Sequence, residues 1–310
     1  MNATTSERRS DDGAAWPELT LAGRQDTYDT LHMWTQVVGK VRLKLAPLIN
    51  HWWQVTLYVT PRGLTTSAIP YGTRAFAIDF DFLDDVLRIA TSDGDVRTVP
   101  LRPQPVAEFY RETMAALESL GLAVKIWPVP AEVPDPIRFD QDRTHAAYDP
   151  EAARRFWRVL VQAERVLTDF RARFLGKVSP VHFFWGGFDM AVTRFSGRRA
   201  PQHGPVPNTP DFVVQEAYSH EVSSLGFWLG AGVSEPVFYA YAYPEPEGFK
   251  EAKVAPAAAF YSPDFGEFLL PYEAVRTAAS PDEALLAFAQ STYEAAADCA
   301  RWDRAALERA

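Results

Sequence analysis

The chain has 310 residues, 47% of them apolar, and a formal charge of −9. That length buries a substantial core in one large domain or two ordinary ones, and the acidic balance argues against a nucleic-acid partner, which needs a concentrated basic surface. A lone cysteine, Cys299, excludes an internal disulfide and any multi-thiolate zinc or iron–sulfur centre.

The first 15 residues, "MNATTSERRSDDGAA", hold no apolar run of signal-peptide length and read as a disordered tail. No stretch approaches the roughly 18 apolar residues of a membrane span, so no membrane partner and a cytoplasmic location are expected. From Thr27 on, Leu31, Trp34, Val38, Val41, Leu45 and Leu48 fall at steps of three and four, one helical stripe, with Gly39 and Pro47 leaving its end open. "NHWWQVTLYVTPRGLTTSAIP" reads as a hairpin around a Pro-Arg-Gly turn, its first strand opening at His51. "FAIDFDF" and "VLRIATSDGDVRTVPL" continue a meander through a tight turn at Ser92 to Asp95. Asp79 and Asp81 alternate with Ile78, Phe80 and Phe82, the pattern of a half-solvated strand rather than of a metal site. A helix from about Val106 to Leu120 and a short edge-like strand, "VKIWPVP", close this half.

A Pro-rich linker, 128–149, follows, and the order of elements then begins again. Asp149-Pro150-Glu151 is a helix start, and Phe156, Leu160, Ala163, Leu167, Phe170 and Phe174 form its stripe. The cations between Arg154 and Lys177 read as its solvated side. "SPVHFFWGGFDMAVTRFSG" is expected to be one long apolar strand, followed by strands in "LGFWLGAG", "PVFYAYAYP" and "AAAFYSPDFGEFLLPY". Ser280 to Glu283 has capping-box spacing and opens a last helix to about Arg301, in which Cys299 reads as an inert thiol. The fold class that results is α+β: two pseudo-repeated helix–antiparallel sheet–helix units, 16–127 and 150–310, packed together so that their sheets share a curved surface or a cleft.

Nucleotide-binding loops, the dinucleotide fingerprint, a nucleophile elbow and a complete zincin helix are all missing; His220-Glu221 starts like the last, but Ser224 stands where its second histidine would be. The polar residues set in apolar strands are therefore the candidates. His182 sits among Phe183, Phe184 and Trp185, and Asp189 lies seven residues on. A bulge at Gly186-Gly187 would bring the two to one face, where the carboxylate would orient the imidazole. Arg194 is the countercharge for Asp189 or for an anionic ligand. Glu216 and His220, four apart on a short helix begun at Thr209-Pro210-Asp211, would add a carboxylate and a second imidazole. With His182 and either Glu216 or Glu221 they would make a two-histidine, one-carboxylate set able to take a divalent metal, iron, manganese or zinc; an ordinary surface pair explains the same spacing. Tyr239, Tyr241 and Tyr243 share a strand face, and Tyr241, Trp185 and His51 are expected to line a ligand site.

Five long stretches carry a resemblance: "HWWQVTLYVTPRGLTT", "VPDPIRFDQDRTHAAYD", "PVHFFWGGFDMAVTRFSGR", "EAYSHEVSSLGFW" and "AAFYSPDFGEFLLPYEAVR". They are similar to a bacterial domain-of-unknown-function family over nearly the whole chain from Trp16. The resemblance implies one fold-sized unit and no mechanism. The leading functional reading is a small-molecule-binding protein, with catalysis left open, in which an aromatic-lined pocket bears His182, Asp189, His220 and Glu221 as chemical groups. The competing reading is a non-catalytic ligand carrier or protein-interaction module. A third places function in the loop residues Asp140, Asp142 and His145.

Overall fold

The computed structural model describes residues 15–229 and 235–309; all but the last residue of the expected tail, and the end of "LGFWLGAG", lie outside them. Helix α1, Gln25–Leu45, ends where Ala46 turns extended ahead of Pro47, as a residue preceding proline must. A 3₁₀ segment, Asn50–Val55, leads into a first antiparallel sheet of β1 (Tyr58–Thr60), β2 (Gly63–Thr65), β3 (Ile69–Tyr71), β4 (Arg74–Asp81), β5 (Val86–Thr91) and β6 (Val96–Pro100). Helix α2, Val106–Ser119, follows, and α3, Pro150–Ala172, starts at Asp149, whose carboxylate accepts from Glu151 N at 2.9 Å.

The second antiparallel sheet holds β7 (His182–Phe184), β8 (Asp189–Arg199), β9 (His220–Trp228), β10 (Val237–Tyr243), β11 (Phe260–Ser262) and β12 (Glu267–Pro271). A short helix α4, Asp211–Ala217, precedes β9, and α5 (Tyr272–Arg276), α6 (Pro281–Cys299) and α7 (Arg304–Leu307) complete the chain. The α+β class expected from the sequence is therefore the class observed. Among the described residues each half opens with a helix, holds six strands and closes on helical structure, the second interrupted by α4, and their strand orders differ: β1-β2-β4-β5-β6 with β3 on β4 in the first, β11-β12-β10-β9-β8-β7 in the second.

Leu57 and Phe183 exchange two backbone hydrogen bonds of 2.9 Å, so the sheets meet edge to edge beside β1 and β7. One continuous apolar core runs under both: Trp34 of α1 stacks on Phe109 of α2 at 4.7 Å, and Phe156 of α3 packs against Phe183 and Phe188. Helix α1 is buried along most of its length, and a Cβ on its Gly39 would come within 2.3 Å of the Trp185 ring. Helix and β7–β8 turn touch there backbone to ring.

Four local expectations are corrected. "SPVHFFWGGFDMAVTRFSG" is a hairpin, not one strand: Trp185 to Phe188 form the turn between β7 and β8, with Phe188 in left-handed conformation (φ 58°). His51 sits in the 3₁₀ segment, where it and Trp52 have φ near 60°, because the segment turns back toward α4 instead of extending. The "VKIWPVP" segment forms no strand, its prolines having no N–H to give a ladder. Ser280 makes no side-chain cap; Asp282 instead accepts from Trp16 Nε1 at 3.0 Å and pairs with Arg165.

Candidate functional site

Period-2 alternation assigns two roles to the second sheet. Met190, Val192, Leu225, Phe227, Phe238, Ala240, Phe268 and Leu270 face the main core. The opposite, outer face carries His182 and Phe184 on β7, Asp189, Ala191 and Thr193 on β8, and Ser224, Gly226 and Trp228 on β9. It continues with Val237, Tyr239 and Tyr241 on β10 and with Glu267 and Leu269 on β12. A small separate apolar cluster of Ala191, Val237, Tyr239 and Leu269 forms here, with half-buried Phe184, Trp228 and Tyr241 packed on it.

Gly226 lies opposite Tyr239 in the β9–β10 ladder. A Cβ at 226 would stand 2.3 Å from Tyr239 Cζ and 2.4 Å from both its hydroxyl and Met190 O. The missing side chain lets the ring lie across β9, so that its hydroxyl donates to Asp189 Oδ2 at 2.5 Å. Burial pushes the Asp189 carboxyl up to about 7, the nearby Glu132 adds to the rise, and the Tyr239 hydrogen bond opposes it. Glu267 is likewise raised to about 7, by burial first and by Asp189 second.

Glu132 reaches this face from the segment between the halves. Its carboxylate covers the turn glycines: a Cβ on Gly186 would lie 2.1 Å from Glu132 Oε1, and one on Gly187 2.8 Å from Asp189 Oδ1 and 3.8 Å from Glu132 Oε2. Two carboxyls thus border one glycine. Gln36 of α1 holds the segment with a reciprocal pair of bonds to the Ala131 backbone, 2.7 and 2.8 Å, while His32 Nε2 lies 2.9 Å from Gly186 O. Burial raises the Glu132 carboxyl, opposed by Lys40, and lowers the Lys40 ammonium to about 8.

A hydroxyl row continues the face. Tyr241 stacks on Tyr239 at 6.2 Å and 14°, its hydroxyl is 3.1 Å from that of Tyr218, and Thr193 and Ser224 hydroxyls meet at 2.9 Å. Burial holds Tyr239 and Tyr241 well above the ordinary phenol range, so both stay protonated. The face combines stacked aromatic area with carboxyls that gain and lose protons near neutrality, a composition suited to holding a polar organic molecule or moving a proton.

The hairpin, not a bulge, sets His182 and Asp189 on one face, on neighbouring strands. They are not a pair. His182 Nδ1 is 2.9 Å from Thr56 Oγ1, its ring lies against Trp53, Tyr58 and Phe184, and Nε2 has no hydrogen-bond partner among the described residues. Burial, then Arg42 and Arg171, lowers its pKa to about 3, so the ring is neutral.

Arg194 does not countercharge Asp189, because five residues along one strand is an odd step and turns it to the core face. There its guanidinium lies 3.5 Å from the Phe170 ring centroid and 4.3 Å from that of Tyr293, and it donates to the Phe170 carbonyl. The helical Glu216–His220 pair does not form either, since α4 ends at Ala217 and His220 begins β9. His51 bridges this region: its N–H donates to Glu216 Oε1 at 3.2 Å, Nδ1 faces the Glu216 and Ala217 carbonyls, Nε2 accepts from Lys177 Nζ at 2.6 Å, and the His220 ring is 5.9 Å away. Glu221 is taken up by Arg198 at 2.7 Å and Ser196 at 2.8 Å. No group of three or more His, Cys, Asp or Glu among the described residues is placed to hold a metal ion, so the expected two-histidine set is not brought together. Trp185 donates to Val55 O at 2.7 Å beneath α1, and Tyr241 is on the face described above.

In the segment between the halves, His145 Nδ1 meets the buried Asp142 carboxylate at 2.6 Å, while the carbonyls of both residues accept from Val106 and Ala107 at the start of α2. Sequence reasoning missed Glu132, Glu267, Gly226 and Tyr218. Of these only Gly226 carries a local signal, a glycine within an apolar strand, which marks a close approach.

The molecule is thus an α+β protein of two edge-joined antiparallel sheets, one of which presents a carboxyl- and tyrosine-bearing face. No helix among its described residues is long and apolar enough to cross a membrane. The chain belongs to a family of unknown function, DUF5996, whose model matches residues 16–309. No curated protein and no solved structure matches it.

Proposed function

We propose that this protein binds a small molecule on the outer face of its second sheet, with Asp189 and Tyr239 as the polar anchor. The observation that supports this is the 2.5 Å Asp189–Tyr239 hydrogen bond set in an aromatic surface, with no arginine among the described residues acting on the carboxyl. Leaving a carboxyl in such surroundings costs stability, and functional sites are where proteins retain such costs. Asp189, titrating near 7, is also tuned for general acid–base work, which favours an enzyme that moves a proton over a passive carrier. A cytoplasmic setting suits the one free thiol, Cys299.

The test is a fragment screen by ligand-observed NMR on the full chain, repeated with Asp189→Asn and Tyr239→Phe. Hits whose affinity falls at least tenfold in both variants support the reading. A hit list that neither substitution alters refutes it.

A further inference from the structure

We propose that Lys40 is a nucleophilic amine that forms an imine with an aldehyde or ketone admitted beside Glu132. This activity belongs to a different residue from the Asp189–Tyr239 anchor and stands apart from the ligand-binding reading above. Its basis is a polar stripe on a buried helix. His32, Gln36 and Lys40 recur every four residues of α1 and so share one face. That face lies on the β7–β8 turn and on the segment between the halves. His32 Nε2 is 2.9 Å from Gly186 O, Gln36 exchanges its bonds with Ala131, and Lys40 Nζ stands 5.8 Å from the Trp185 ring centroid.

Hydrogen bonds explain the first two of these side chains. Lys40 has no such explanation. It is 8% exposed, whereas Lys44, Lys125, Lys177, Lys250 and Lys253, the other five lysines of the chain, are all exposed. Its ammonium makes no hydrogen bond or ion pair among the described residues, and the Trp185 ring lies close to the roughly 6 Å limit of a cation–π contact. Yet Nζ, unlike Arg42 Nε or Trp34 Nε1, is not sealed from solvent. A buried stem with an open, unpartnered tip presents its amine to an incoming molecule.

Glu132 is the acid that acts on this amine. Gln36 holds Ala131, which sets the next residue, Glu132, close to the Lys40 turn of α1. Burial lowers the amine to about 8 and raises the carboxyl. Part of the amine is therefore uncharged near neutrality, and the carboxyl holds its proton to higher pH, the two states that condensation with a carbonyl requires. Nζ bonds to the carbonyl carbon while one N–H proton passes to the oxygen, and Glu132 gives the second proton with which that oxygen leaves as water. The iminium that remains carries its charge beside the Glu132 carboxylate.

The experiment is limited labelling of the full chain with acetaldehyde and cyanoborohydride at pH 7.5, which reduces an iminium to a stable N-ethyl lysine, with the modified residues located by peptide mass spectrometry. At that pH about one in four amines of pKa about 8 is free, against about one in a thousand for an ordinary lysine. Lys40 should be labelled at least tenfold faster than each of the five exposed lysines. Acetic anhydride, which needs a free amine but no proton donor, supplies the comparison: Glu132→Gln should lower the ratio of ethylation to acetylation at Lys40 at least fivefold. Labelling of Lys40 by acetaldehyde no faster than that of the exposed lysines overturns the proposal, and this arm needs no variant to fold. An unchanged ratio in Glu132→Gln overturns the role given to Glu132. Neither result bears on Asp189 or Tyr239, so the fragment screen decides the ligand-binding reading separately.

Discussion

Asp189→Asn is expected to stabilise the protein, and to do so more at pH 8 than at pH 5. Asparagine keeps an oxygen to accept the Tyr239 hydroxyl, so the 2.5 Å hydrogen bond has a successor, while the charge that burial disfavours is removed. The pKa of the carboxyl rises from the ordinary 3.8 of an aspartate to about 7 in the folded protein. A raised acid pKa means that the folded state holds its proton where the unfolded chain has already released it, so this residue lowers stability progressively as pH climbs from about 4 to about 7. Between pH 5 and pH 8 this cost grows by roughly 3 kcal/mol before solvent screening. Asp189 is only half-buried as a residue, and screening brings the figure to about 1.5 kcal/mol. For a chain of this size that corresponds to about 3 °C in Tm, by extension of the usual scaling. The assay is thermal denaturation of both proteins at pH 5, 6, 7 and 8. A variant that loses stability equally at every pH would show that Asp189 is an ordinary satisfied polar residue and would refute the reasoning.

Gly226→Ala places a methyl 2.4 Å from Met190 O and 2.3 Å from the Tyr239 ring, and should cost about 1–3 kcal/mol in chemical denaturation; a loss below about 0.5 kcal/mol would mean the ring moves freely. Gly39→Ala meets Trp185 at 2.3 Å and should cost a similar amount, about 1–3 kcal/mol, by separating α1 from the β7–β8 turn, with the Trp fluorescence shifting to the red. Arg194→Met should be tolerated within about 1 kcal/mol, since a buried guanidinium held by rings and one carbonyl, with Nε unpartnered, gains little over an apolar side chain of its length. Arg194→Ala should cost about 3 kcal/mol through the cavity it opens, and equal losses for the two would contradict this view.

Much of the fold is legible in the residues because it depends on neighbours close in the chain. The three-four stripes of α1 and α3, the Asp149-Pro150 start and the alternation of "FAIDFDF" follow from periods of 3.6 and 2 acting over a few residues. Even the separation of Asp189 from Arg194 follows from strand parity once both lie in β8. Local patterns did not distinguish a bulge from a turn at Gly186-Gly187, because glycine permits both; only the pairing of β7 with β8 and the packing of Trp185 on Gly39 decided it. The candidate site depends on such long-range terms throughout. Glu132 meets Asp189 because Gln36, 95 residues before Ala131, holds that backbone in place, and Tyr239 reaches Asp189 because Gly226 leaves its path open. A pKa near 7 is not a property of an aspartate or of its neighbours in sequence. It arises when the tertiary structure withdraws water from one carboxyl and sets two others beside it, which no periodicity records.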